Sequence, residues 1–213
     1  MMPEICRSSA PRRLDQGFTL IEVLAVIVIL GVLAAMVIPA ISSVRARGHA
    51  VACMSNLRQV GLGMELYLQE NRGYYPEIYG KGTEPTKTWM WKLGPYLDFP
   101  ENAMGPSPLA KAAGVFVCPD PSFNRKTRNA SYAYNVAIDW SPWFYRKSAV
   151  PEPRKTFLVV EADVNSDYFS PFATADVSRR HPGHTANFLF VDGHVEALSQ
   201  TIPATDTRWR WGN

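Results

Sequence analysis

Residues 18–38 read FTLIEVLAVIVILGVLAAMVI, twenty-one residues with a single ionisable side chain, Glu22. At 1.5 Å per residue, a helix of about 20 residues spans the ~30 Å hydrocarbon core of a bilayer. Ahead of it, residues 1–17 are short and polar and carry Arg7, Arg12 and Arg13 against Glu4 and Asp15. Basic residues in front and none immediately behind predict a single pass through the inner (cytoplasmic) membrane. The N-terminus is then cytoplasmic and everything after residue 39 lies outside.

Two ordinary readings compete. A secretory signal peptide has an apolar core of about 7–15 residues, shorter than this one, although Ala34 and Ala35 offer a small-residue cleavage site. A plain anchor is the other. Neither has a use for Glu22, because a charged group at mid-membrane costs about 2.5–3.5 kcal/mol, and less near an end. A partner that offsets the cost is the chain's own cut end. Cleavage between Gly17 and Phe18 would give Phe18 a free α-amine of pKa about 7.7–8.0. The amine of one subunit could then pair with Glu22 of the next inside the membrane.

The stretch Gly17-Phe18-Thr19-Leu20-Ile21-Glu22 resembles the cleavage and methylation motif of type IV prepilins and type II secretion pseudopilins. Gly31 and Pro39, fourteenth and twenty-second from Phe18, fit the same pattern. The resemblance implies cleavage after Gly17 by a prepilin peptidase, N-methylation of Phe18 and an assembly role for Glu22. Its expected partners are other pilin or pseudopilin subunits, the peptidase and the inner membrane.

Beyond Pro39 the apolar residues Val44, Val51, Met54, Leu57, Val60, Met64, Tyr67 and Leu68 recur at three- and four-residue steps, the mark of an amphipathic helix. Asn71-Arg72-Gly73 is a stop signal. Pro39 lacks an N–H and predicts a kink, and Gly31 to Pro39 is the stretch expected to lose helical structure when subunits pack into a filament. Three regions are therefore expected. Residues 1–17 form a cytoplasmic leader. Residues 18–71 form one helix, 18–38 transmembrane and 39–71 a stalk. Residues 72–213 form an extracytoplasmic domain. In that domain Thr88–Leu97 reads as a short helix or aromatic loop, and Val115–Val117, Ser131–Val136 and Thr156–Glu161 read as strands. Asp192-Gly193 supplies a two-residue turn for a hairpin. That turn would put Phe188, Phe190, Val195 and Ala197 on the face against the stalk, and Leu189, Val191, His194 and Glu196 on the other. The fold class is α+β, pilin-like, a long helix against a small antiparallel sheet.

The segments Asn56–Pro76, Phe116–Pro121, Ser131–Asn135 and Arg179–Val195 resemble prepilin-like proteins with a C-terminal H-x9-D-G signature. Here His181 and Asp192-Gly193 are separated by ten residues, the extra one falling in the loop His-Pro-Gly-His.

Metal-site candidates are weak. His181 and His184 have a spacing compatible with zinc, against a bland reading of two solvent-facing histidines. Asp163, Asn165 and Asp167 mimic the start of a calcium loop, but positions six and twelve are Tyr168 and Thr174 where Gly and Glu are required. No cofactor is expected, with a looser calcium site left open. The Trp rings of Arg208-Trp209-Arg210-Trp211 are expected to pack locally. With Cys6 lost in the leader, Cys53 and Cys118 remain as an even pair on the oxidising side. They are read either as a disulfide closing a loop of about 65 residues, worth ~4 kcal/mol, or as two buried thiols.

Three functions compete: a structural filament subunit, a membrane-anchored periplasmic metal-dependent enzyme, and a DNA-uptake pilin. No assembled catalytic set stands out, so the chain is read as a non-enzyme. Removing Arg7, Arg12 and Arg13 together with Glu4 and Asp15 leaves 19 Lys and Arg against 17 Asp and Glu. That balance does not favour a nucleic-acid partner. The favoured reading is the filament subunit, a pseudopilin or minor pilin.

Overall fold

The structure, a computed structural model, describes residues 18–77, 88–97, 114–123, 131–135, 146–162, 168–169, 177–203 and 205–209. The chain divides into two units, residues 1–43 and 44–213. Helix α1 (Leu20–Glu70) contributes to both and remains helical through Pro39. In the first unit the large apolar side chains from Phe18 to Ile38 are all at least half exposed. The most apolar eighteen residues reach a mean hydropathy of 3.0, so α1 is long and apolar enough to cross a membrane.

In the second unit α1 is amphipathic. Cys53, Leu57, Val60, Met64 and Leu68 are buried, at steps of three and four. Val44 and Val51, expected on that face, are 67% and 64% exposed. At about 100° per residue Val51 points some 200° away from Cys53, and Val44 lies one heptad behind it. The helix stops as its sequence predicts. The Gly73 N–H donates to the Leu68 carbonyl at 2.7 Å, and Arg72 takes the left-handed conformation, φ 56°. This is a Schellman closure with arginine where glycine is usual.

Among the described residues five strands follow: β1 (Tyr132–Asn135), β2 (Phe157–Glu161), β3 (Tyr168–Phe169), β4 (Ala186–Phe190) and β5 (Val195–Leu198). Their order across the sheet is β3-β1-β2-β4-β5. The β1–β2, β2–β4 and β4–β5 pairs are antiparallel, and the short β3 lies parallel to β1. The fold is α+β. Trp89–Leu93 forms a short helix, α2, capped by the Thr88 side chain. Val115–Val117 is not a strand. Gly114–Phe116 forms a 3-10 turn closed by a Val117 N–H to Gly114 carbonyl bond, so local closure overrides the β-branched propensity.

Both sheet faces are covered. On one lie Cys53, Leu57, Val60, Met64, Trp89, Phe116, Tyr132, Tyr134, Val159 and Leu189. On the other lie Ala133, Phe157, Val160, Phe188, Phe190, Ile202 and Trp209. A bulge between Phe157 and Val159 lets Leu158 and Val159 both join the first cluster. Trp209 closes the second, with its ring 4.5 Å from that of Phe157 and its indole N–H on the Pro203 carbonyl.

The hairpin corrects the expected facing. Leu189 pairs with Val195 and Phe188 with Glu196. The Phe190 N–H donates to the His194 carbonyl, and the Gly193 N–H returns to the Phe190 carbonyl. The loop therefore holds three residues, Val191 to Gly193, with Gly193 left-handed at φ 94°. One extra residue flips every side chain of β5 relative to β4. Leu189, Val191 and Val195 face α1, while Phe188 and Phe190 face away.

Two glycines let α1 approach its neighbours. A Cβ on Gly61 would sit 3.0 Å from Leu189 Cδ1, and one on Gly63 would sit 3.0 Å from Leu97 Cγ and Cδ2.

Candidate functional site

The N-terminal segment begins with a reciprocal cap. The Thr19 backbone N–H and hydroxyl both donate to Glu22 Oε2 at 2.8 Å, and the Glu22 N–H donates to Thr19 Oγ1 at 3.3 Å. This is a capping box, legible in the sequence as T-x-x-E and missed there. Phe18 ahead of it is 86% exposed. A Cβ on Gly31 would meet nothing within 4 Å. Gly17 lies outside the described residues.

A second cluster lies inside the second unit. Cys53 comes from α1, Cys118 from the segment after the 3-10 turn, Glu161 from the end of β2 and His181 from the loop before β4. All four are buried, and one ligand atom from each lies within 4.8 Å of the others. Cys53 and Cys118 are joined as a disulfide with Cα atoms 5.0 Å apart. His181 Nε2 lies 2.8 Å from Glu161 Oε1 and 3.8 Å from Cys118 Sγ. The Asn187 backbone N–H donates to Glu161 Oε2 and its side-chain amide to Oε1, so the buried carboxylate is held on both oxygens. The Tyr132 hydroxyl donates to the Cys53 carbonyl. Burial first, then the charge of Glu161, keeps that phenol protonated well above the usual range. His181 Nδ1 is buried without a hydrogen bond, 3.7 Å from Asp120 Oδ2. Partial burial would raise the Asp120 carboxyl, but hydrogen bonds from Ser122 and the charges of His181 and Arg180 bring it below the usual range.

Of the two readings weighed for His181, the solvent-facing one is overturned, because the structure buries it. His184 is exposed in a left-handed conformation, φ 54°, and does not belong to the buried group. Chain separation hid Glu161: it is twenty residues from His181, with no local spacing to link them. Asp192 and Gly193 form the hairpin loop, where Asp192 Oδ1 accepts from the His194 N–H and ring. Partial burial works to raise the Asp192 carboxyl, yet these bonds and the His194 and Arg154 charges hold it below the ordinary value. Asp163, Asn165 and Asp167 lie outside the described residues.

The chain thus opens on a long apolar helix with a capped Thr-Glu start, and its second unit carries a five-stranded sheet. Residues 12–38 match the prokaryotic N-terminal methylation motif. The chain is 35% identical over 63 residues to type II secretion system core protein G of Pseudomonas aeruginosa. That similarity spans 30% of this chain and 44% of the relative's length. No solved structure matches. Neither the enzyme nor the DNA-uptake reading gains support from these comparisons.

Proposed function

We propose that this chain is a pseudopilin or minor pilin of a type II secretion or type IV pilus-like filament. A prepilin peptidase cuts between Gly17 and Phe18 and the new N-terminus is methylated. The helix then holds the subunit in the inner membrane with its outer domain on the far side, until it joins other subunits. The observation that carries this reading is the run GFTLIE leading into an apolar helix whose large side chains from Phe18 to Ile38 are all at least half exposed. Similarity to a type II secretion core protein supports the choice of machine.

N-terminal peptide mass spectrometry on membrane-extracted protein tests the proposal. The expected terminus is N-methylated Phe18. A terminus after Ala34 or Ala35, or an intact Met1, overturns it.

A further inference from the structure

We propose that Cys53, Cys118, His181 and Glu161 form a metal site for a zinc-class divalent ion, open when the two cysteines are thiols and closed by their disulfide. The inference is independent of the filament reading. The donor set is two sulfurs, one imidazole nitrogen and one carboxylate oxygen, the mixture that zinc takes in four-coordinate sites. Four separate stretches of chain bring these atoms to one buried point.

The spacing is near what a tetrahedron needs. Zinc–sulfur bonds of about 2.3 Å and zinc–nitrogen or –oxygen bonds of about 2.0 Å give sulfur–nitrogen edges of about 3.5 Å and nitrogen–oxygen edges of about 3.3 Å. Cys118 Sγ to His181 Nε2 is 3.8 Å, and Nε2 to Glu161 Oε1 is 2.8 Å. The sulfurs must separate to about 3.8 Å, as breaking their bond allows.

The unpartnered nitrogen of His181 is a second, independent sign. In the disulfide form Nε2 faces Glu161, and Nδ1 is buried with no hydrogen bond. Metal on Nε2 moves the ring proton to Nδ1, which faces Asp120 Oδ2 at 3.7 Å. A carboxylate behind a ligating histidine is the usual outer partner of such a site. Asp120 is then a positioning residue.

Opening the site takes two electrons and two protons. A dithiol supplies them and itself closes to a disulfide, leaving Cys53 and Cys118 as thiols. Binding of the ion then releases both thiol protons to solvent. Reoxidation expels the ion, because disulfide sulfurs are not thiolate ligands.

The test uses the detergent-solubilised full chain, reduced with dithiothreitol and desalted without oxygen, then titrated with Co2+ and with Zn2+. Reduced wild type is expected to take up one ion per chain. With cobalt it should show thiolate charge-transfer bands and the intense ligand-field bands of tetrahedral coordination, and zinc should abolish both. The oxidised chain should show neither. Asp120→Asn should weaken binding about 10-fold, and Glu161→Gln should alter the ligand-field bands while sparing the charge transfer. Failure of the reduced wild type to bind, equal uptake by the oxidised chain, or a spectrum unchanged by Glu161→Gln overturns the proposal. These readings do not need His181→Ala to fold.

Discussion

Glu22 illustrates how one side chain can carry two explanations. Its carboxylate caps its own helix through Thr19, and both Thr19 bonds fall on Oε2. Capping and subunit pairing ask for different chemistry, so two substitutions separate them. Glu22→Gln keeps a capping group and loses the charge, because glutamine also serves in a capping box. Thr19→Ala loses the side-chain cap, worth about 1 kcal/mol, and keeps the charge. If Glu22 pairs with a neighbour's amine, Glu22→Gln blocks recovery of the protein in sheared filaments while Thr19→Ala assembles near normally. The reverse pattern would make the residue a helix cap and no more.

At the scale of elements, the sequence was most legible where a pattern is local. The apolar span, the stop at Asn71-Arg72-Gly73, and β1, β2 and the hairpin can all be read from a few neighbouring residues. What could not be read depends on distant geometry or on one backbone angle. Whether the Asp192-Gly193 loop holds two residues or three decides which face of β5 meets α1, and that rests on Gly193 at φ 94°. Val44 and Val51 fit a three-four rhythm, yet the buried face follows Cys53, whose apolar character counted for less in the pattern. Gly61 and Gly63, which no sequence pattern singles out, are points of close approach. They give a contrasted prediction. Alanine gains about 1 kcal/mol of helix propensity at either position. At Gly61 the new methyl meets Leu189, fully buried and unable to move aside. Overpacking of that kind costs about 1–3 kcal/mol. At Gly63 it meets the half-buried Leu97, which can turn toward solvent. Urea unfolding should therefore rank Gly61→Ala below wild type by about 1 kcal/mol, and Gly63→Ala above Gly61→Ala. A stabilised Gly61→Ala would mean that the sheet yields.

The second unit is tied by the Cys53–Cys118 bond, which spans a sequence separation of 65. In the chain-entropy model a loop of that size contributes about 4 kcal/mol. Cys53→Ala with Cys118→Ala should lower the unfolding free energy by up to that amount, measured by urea denaturation of the solubilised chain. An unchanged midpoint and slope would show that the unfolded chain gains little freedom when the bond is absent. The bond also has a mechanical side. Tension drawn along the helix passes from Cys53 to Cys118 directly, and the residues between them are out of the line of load. At about 3.4 Å per residue they would add roughly 220 Å of contour length if the bond were open. A chain under pull, or one nicked by a protease between those two cysteines, therefore keeps its N-terminal helix and its sheet on one covalent path.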